Sequence, residues 1–380
     1  MRKGVLQTIL MTKSNKNKIE EMNISSISQE RLLNAKLGYT SRNLSIESVT
    51  TLLHGDGIIP GSGDIALARV TAIGQQHELE LAHGRPSALS IGDEIIVCFG
   101  HSMNPFEFQV PEDLQSCHLV APGGIAALVN VSLASAQTFT TIQLVGLLAD
   151  GNQRCINLKD TALPRVVSLF PHPFTIAIVG SSMNTMKTTL DLICSLTQAG
   201  YRVGGGKVTG IGSGQNTWLL TDAGAKIALD FTHAGFPSTD QILPEQVNFI
   251  LETLITHLSV ARMDVIVLEI SDDLVCQETT SVLDSKIFAK IVDGIVFTAS
   301  DMMYALAGVE LLKQHGLSAT AIGGRFAESE SASAETASAI GLPVLDKALL
   351  SPERVIDIFQ IPVQIPCQES QCMGNALGKR

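Results

Sequence analysis

The chain has 380 residues, of which 45% are hydrophobic, a length and composition that suit about two or three domains and exclude a largely disordered protein. Acidic residues outnumber basic ones by 37 to 26, and the net charge of −11 argues against an extended nucleic-acid surface. The 7 cysteines include no C-x-x-C pair, so they indicate neither a disulfide framework nor a zinc ribbon. No apolar run reaches the ~18 residues of a membrane span. We therefore expect a cytoplasmic protein with neither a nucleic-acid nor a membrane partner.

The polarity and periodicity of the sequence change at three places along the chain. Residues 1–54 are polar and without sustained periodicity, which predicts a polar N-terminal arm with one short helix near 27–36. A glycine- and proline-rich cluster follows, and residues 55–165 then alternate short apolar stretches with turns. That spacing predicts a small antiparallel, barrel-like β domain. Residues 363–380 are polar and are expected to form a loose C-terminal tail.

Residues 170–362 alternate strand-like and helix-like segments. Apolar runs predict strands at 174–179, 265–268, 294–298 and 319–322, and helix-length segments lie at 187–198, 244–262 and 301–315. Continuous apolar runs are typical of strands that are buried on both faces. The pattern therefore predicts an α/β domain with a parallel sheet and helices on both faces.

One segment of this domain has the composition of a phosphate-binding loop. Between a buried strand and a helix, such a loop needs backbone N–H groups for the phosphates, a lysine for their charge and a hydroxyl for magnesium. Lys187 and Thr188 fit the last two roles, whereas Met186 stands where glycine normally lets the backbone approach the phosphates. An ordinary strand, turn and helix with a solvent-facing lysine explains the residues equally well. The candidate nucleotide-binding residues are Gly180, Ser181, Ser182, Met183, Asn184, Thr185, Met186, Lys187, Thr188 and Thr189.

This segment and those after it resemble the dethiobiotin-synthetase-like P-loop proteins, a group that includes the cobyrinate amidases and the molybdopterin-guanine dinucleotide adaptor. Residues 60–350 resemble more closely a bacterial P-loop NTPase family related to that group. Its loop reads Gly-Ser-Ser-Met-Asn-x-Gly-Lys-Thr-Thr and follows a small β domain. The resemblance implies ATP and Mg²⁺ as cofactors, and dimers with sites at the subunit interface.

The same resemblance suggests roles for residues beyond the loop. The run from Gly206 to Gly210 resembles the second-strand motif of dethiobiotin synthetase, which implies that Lys207 faces substrate and phosphates. Asp222, expected at the start of a helix, resembles that family's metal-proximal aspartate. Glu269, expected at the end of a strand, resembles the Walker B residue that holds magnesium, with Asp272 as a helper. From the residues alone, a surface charge at Lys207 and a helix-terminal charge at Asp222 stay open as alternatives.

Two functions follow from this reasoning. The first is a ligase or kinase-like enzyme that uses ATP to activate a small polar, carboxylate-type substrate by phosphoryl transfer. Lys187 and Lys207 are then catalytic, and Thr188, Asp222 and Glu269 hold magnesium. The second is a nucleotide-binding regulator or adaptor with weak or no turnover, because Met186 replaces the loop glycine. The lack of an Asn-Lys-x-Asp motif favours ATP over GTP. Asp230 and His233 either line the crevice at the carboxyl ends of the strands, beside the phosphate loop, or have a structural role.

Overall fold

The computed structural model describes residues 23–362 apart from 56, 103–106, 130–138, 170, 181, 271–273 and 347–348. Ser181, Asp272, the predicted tail 363–380 and residues 1–22 of the predicted arm therefore lie outside the described residues, as do the side chains of Ser182 and Met183. The described part of the chain forms two units, each with its own main sheet.

The first unit is built on a sheet of 9 strands. Five of them form a closed ring, because β4 pairs β7, β7 pairs β10, β10 pairs β9, β9 pairs β11 and β11 pairs β4. All of these pairings are antiparallel except the parallel one between β7 and β10. The expected barrel-like β unit is thus confirmed. Its elements are β1 (Asn23–Ser26), α1 (Gln29–Asn34), β2 (Lys36–Leu37), β3 (Thr51–His54), β4 (Ile65–Ala72), β5 (Glu78–Glu80), β6 (Pro86–Ala88), β7 (Glu94–Phe99), β8 (Phe108–Gln109), β9 (Ser116–Ala121), β10 (Ile125–Val129) and β11 (Thr140–Ala149).

Residues 23–54 belong to this unit, so the predicted polar arm does not hold for them. β1 pairs with β3, and β3 pairs in turn with β11, where Leu52 lies opposite Leu148. Leu32 and Val49 are 1% and 0% exposed. These apolar residues are separated by polar ones, and their pairing partners are distant in sequence, so no local pattern reveals them. The helix expected near 27–36 is present as α1.

The second unit is the predicted α/β domain. Its sheet has 6 strands in the order β14-β13-β15-β12-β16-β17, and each described pairing in it is parallel. Its elements are β12 (Phe174–Gly180), α2 (Ser182–Gln198), β13 (Val203–Lys207), α3 (Gly214–Asp222), β14 (Ile227–Asp230), α4 (Pro244–Val260), β15 (Val265–Ile270), α5 (Gln277–Leu283), α6 (Lys286–Ile291), β16 (Gly294–Thr298), α7 (Met302–Gln314), β17 (Ala321–Gly323), α8 (Glu330–Ile340) and α9 (Pro352–Phe359).

Helices cover both faces of this sheet. Along β15, Val265 and Val267 pack in the core that includes residues of α2, α3 and α9, whereas Ile266 and Leu268 pack in the core of α4 to α7. Because strand side chains alternate between faces, Glu269 lies on the α2 side. The fold class predicted from the sequence is confirmed. Among the described residues, no helix combines the length and apolar character that a membrane crossing requires.

Candidate functional site

The segment expected to form a phosphate loop is mostly helical. α2 begins at Ser182, five residues before the predicted start at Lys187, so the amides of Met186 and Lys187 lie within the helix. Methionine is a good helix former, whereas glycine costs about 1 kcal/mol in a helix interior. Met186 therefore favours continuation of the helix where a glycine would favour a loop. Gly180 keeps a loop-like φ of +135°, and a Cβ there would lie 2.2 Å from the carbonyl oxygen of Thr298.

One side of α2 lines a cavity of about 280 Å³, which we call the α2 cavity. Lys187 is 54% exposed, and its Nζ lies 2.9 Å from a carboxylate oxygen of Asp191 and 4.0 Å from one of Glu328. Thr188, which is 5% exposed, has no hydrogen-bond partner for its hydroxyl among the described residues. The cavity is lined by Asn184, Lys187, Thr188, Asp191, Cys194, Ser195, Gln198, Gly324, Arg325, Ala327, Glu328, Leu345, Asp346 and Leu350.

The opposite side of α2 covers a buried ion pair at the carboxyl ends of the strands. Lys207 and Glu269 are register partners on β13 and β15, with Nζ 3.2 Å from Oε1 and side-chain exposures of 7% and 1%. The Thr185 hydroxyl, fully buried, donates to the same Oε1 over 3.4 Å. The other oxygen of Glu269, Oε2, is buried without a hydrogen-bond partner among the described residues. The structure brings Lys207 and Glu269 together, and β15 continues one residue beyond Glu269.

The two sets of site residues are separated by the helix itself. Successive helical residues are rotated by about 100°, so Lys187 lies about 200° around α2 from Thr185. Lys187 consequently looks into the α2 cavity, which Thr188 also lines, whereas Thr185 faces the ion pair of Lys207 and Glu269. The structure does not bring the two predicted catalytic lysines together.

Asp222 is not where the sequence placed it. It is the last residue of α3, which begins at Gly214, and it is exposed. It lines a different cavity from Thr188, beside Trp218. Among the described residues, no group of three or more His, Cys, Asp or Glu side chains is arranged to hold a metal. Because Asp222 and Thr188 line different cavities, the predicted magnesium ligands Thr188, Asp222 and Glu269 do not form one site.

A polar cluster at the end of β14 joins the two units. Asp230, 1% exposed, accepts a hydrogen bond from the Tyr39 hydroxyl over 3.1 Å and lies 3.6 Å from the Arg42 guanidinium. His233 Nδ1 lies 2.8 Å from Asp230 Oδ1. Burial alone would raise the pKa of Asp230, but hydrogen bonding and charge from His233, with the charge of Arg42, hold that pKa well below its usual range. Asp230 and His233 thus have a structural role in fastening the β unit. Sequence reasoning missed Tyr39 and Arg42 because they lie in the presumed arm.

Burial acts on Tyr39 in the same cluster. Its hydroxyl lies 2.8 Å from the Thr217 hydroxyl, and burial, with the nearby charge of Asp230, raises the pKa of Tyr39 well above its usual range. Tyr39 therefore stays neutral and donates to the carboxylate of Asp230. Deprotonation would place two negative charges side by side in the interior.

Among the comparisons with known proteins, only the search of solved structures finds matches. No family model and no curated protein matches the chain. Among solved structures, the signal recognition particle receptor FtsY from Elizabethkingia anophelis is 14% identical with a TM-score of 0.32, over 50% of this chain and 64% of that one. The 54 kDa signal recognition particle protein from Aeropyrum pernix, in complex with GDP, is 17% identical with a TM-score of 0.35, over 51% and 47%. HypB from Helicobacter pylori, in complex with nickel, is 12% identical with a TM-score of 0.33, over 50% and 85%.

The chain thus covers less than two thirds of the length of the first two structures. At these TM-scores the likeness carries no argument about ligands or activity. The fold class rests on the order and direction of the strands in the sheet of the α/β unit. The resemblance to dethiobiotin synthetase and its relatives stays a prediction.

Proposed function

We propose that this protein is a nucleotide-binding regulator or adaptor with weak or no turnover. The observation that carries the proposal is the helical state of residues 182–187, where a catalytic phosphate loop would be open backbone. With Met186 in place of glycine, Lys187 sits in the second turn of α2 and pairs with Asp191. The β unit, fastened at Asp230, would supply the surface for a partner.

The α2 cavity has groups suited to the phosphates of a nucleotide. Lys187 and Arg325 supply positive charge. The hydroxyl of Thr188, which has no hydrogen-bond partner among the described residues, can donate to a phosphate or ligate magnesium. Three carboxylates of the lining, Asp191, Glu328 and Asp346, would repel a bare polyphosphate. We therefore expect the nucleotide to bind as its magnesium complex, with ATP as the expected nucleotide.

Weak turnover follows from where the remaining charges lie. Phosphoryl transfer is accelerated mainly by positioned charges that neutralise the transferring group. Lys207 could serve in this way directly, and Glu269 by holding magnesium, yet the two residues are 6% and 1% exposed and lie behind α2. A phosphate in the α2 cavity would not reach them while residues 182–187 stay helical.

A second candidate, phosphoryl transfer from Mg-ATP to a small carboxylate-type substrate in a ligase or kinase-like reaction, has one observation in its favour. The Oε2 of Glu269 is a buried oxygen beside Lys207 that has no hydrogen-bond partner among the described residues, and a carboxylate oxygen of this kind is a suitable ligand for magnesium. This candidate requires the first turns of α2 to unwind, so that Thr185 no longer covers Glu269.

Phosphate release from Mg-ATP separates the two candidates. The regulator proposal expects wild-type release no faster than that of Lys187→Ala, and a gain of about fivefold in Met186→Gly, because glycine destabilises the first turns of α2 by about 1 kcal/mol. Met186→Ala removes the same side chain but preserves the helix, and it should match the wild type. Turnover in the wild type that Lys187→Ala abolishes would favour the enzyme instead.

A further inference from the structure

A second cavity, of about 460 Å³, lies where the two units meet, and we call it the junction cavity. The β5–β6 hairpin and Pro122 of the β unit line one side, and α3 of the α/β unit lines the other. It shares no lining residue with the α2 cavity. Neither proposed function makes use of it, so an inference about it is independent of nucleotide binding.

The wall contributed by α3 contains Trp218, the only tryptophan in the chain. Its indole packs closely against Gly84, where a Cβ would lie 2.1 Å from Nε1. Trp218 is nevertheless 41% exposed, and its N–H has no acceptor among the described residues. Tryptophan is highly buried on average, so an indole that packs on Gly84 and is yet open to a cavity indicates a surface for a ligand.

Each charged residue that lines the junction cavity is acidic: Glu78, Glu80 and Asp222. Glu80 is engaged, since its carboxylate accepts hydrogen bonds from the Gly214 amide over 2.6 Å and from the Ser213 hydroxyl. Glu78 and Asp222 are exposed and form no ion pair among the described residues. The rest of the lining includes Pro86, Pro122 and Leu219. The cavity therefore combines an aromatic face, apolar walls and an uncompensated negative charge.

We propose that the junction cavity binds a small organic cation of the alkylated ammonium class. A cation is attracted to the negative face of an aromatic ring, and tryptophan is the best of the rings for this contact. Alkyl groups on the nitrogen pack against Pro86 and Leu219. An inorganic cation would have to lose its hydration shell to enter the cavity, whereas an alkylated ammonium ion carries apolar groups in its place. Glu78 and Asp222 supply charge without needing N–H donors on the ligand. A cation bound there touches the hairpin of the β unit and α3 together.

The single tryptophan provides the test. Tetramethylammonium chloride is titrated into the full chain at constant ionic strength while the fluorescence of Trp218 is recorded. We expect a saturable change that neither sodium chloride nor tert-butanol, an uncharged molecule of similar shape, reproduces. Glu78→Gln and Asp222→Asn should each raise the half-saturation concentration about threefold, and the double variant about tenfold, as expected of exposed charges.

Two further variants separate binding from altered folding. Trp218→Phe keeps a weaker aromatic face and should bind the cation several-fold more weakly in a calorimetric titration, with an unchanged far-ultraviolet circular dichroism spectrum. Glu310→Gln, on α7 in the same unit, removes an exposed carboxylate elsewhere and should leave the titration unchanged. A response that is linear, that tert-butanol matches, or that the Glu78→Gln/Asp222→Asn variant retains in full would overturn the proposal.

Discussion

Replacement of Lys207 by methionine should destabilise the α/β unit strongly. The Nζ of Lys207 lies 3.2 Å from Glu269 Oε1, with side-chain exposures of 7% and 1%. At that separation, an effective dielectric constant of about 20 gives an attraction of about 5 kcal/mol. Methionine has a similar length but no charge, so the variant removes the cation that pairs with the buried carboxylate of Glu269. The Oε2 of that carboxylate already has no hydrogen-bond partner among the described residues. Loss of one partner from a buried ion pair costs about 3–5 kcal/mol.

The chain offers a matched control on its surface. Lys313 and Glu310 on α7 are also 3.2 Å apart, but their side chains are 60% and 65% exposed. Exposed ion pairs contribute about 0–1 kcal/mol. Lys313→Met should therefore change the free energy of unfolding by less than about 0.5 kcal/mol, although the distance across the pair is the same.

Urea unfolding followed by Trp218 fluorescence measures both variants, since the only tryptophan lies in the affected unit. The double variant Lys207→Met/Glu269→Gln removes both charges and should recover at least about 2 kcal/mol relative to the sum of the two single variants. The reasoning is refuted if Lys207→Met costs no more than Lys313→Met. That result would mean that water reaches the pair and that α2 does not seal it.

Two other predictions concern the carboxylate of Glu94 and the thiols of Cys98 and Cys194. Hydrogen bonds from Arg31 foremost, and from Arg69, lower the pKa of Glu94 to about 2, so this carboxylate contributes stability above its ordinary pKa near 4.5 that is lost as the pH falls from 4.5 towards 2. The free energy of unfolding of Glu94→Gln should fall less steeply over that range than that of the wild type, and equal slopes would contradict the assignment. Burial raises the pKa of the Cys98 thiol to about 12, whereas Cys194 is exposed on α2. Iodoacetamide and peptide mapping should find Cys194 alkylated in the native protein and Cys98 alkylated only after denaturation; early labelling of Cys98 would contradict its burial.

The elements that could be predicted from the sequence are those whose signal is local. β16 occupies 294–298 as predicted, and α4 ends within two residues of its expected end. A strand that is buried on both faces and a long apolar helix can each be recognised from the sequence of the segment alone. The pairing of Lys207 with Glu269 could be anticipated for a related reason. The carboxyl ends of neighbouring parallel strands meet at one edge of the sheet.

What could not be predicted depends on distant contacts or on the choice between two local states. The pairing of Leu52 with Leu148 joins strands that are far apart in the chain, and no sequence pattern around Leu52 indicates it. Residues 182–187 are short enough to be either a loop or the start of a helix, and Met186 decides between them through a preference of about 1 kcal/mol. The place of Asp222 depended on where α3 begins, and element boundaries are the weakest part of any pattern-based prediction.

Calorimetric titration with Mg-ATP tests most directly whether this protein binds a nucleotide in the α2 cavity. Lys187 is the basic residue of α2 that lines the cavity, and removal of a charge-assisted hydrogen bond to phosphate costs about 1.5–3 kcal/mol. We predict saturable, magnesium-dependent binding to the wild type and to the surface variant Lys313→Ala, and at least about tenfold weaker binding to Lys187→Ala. Absence of saturable heat in the wild type, or equal affinity in Lys187→Ala, would contradict the proposal.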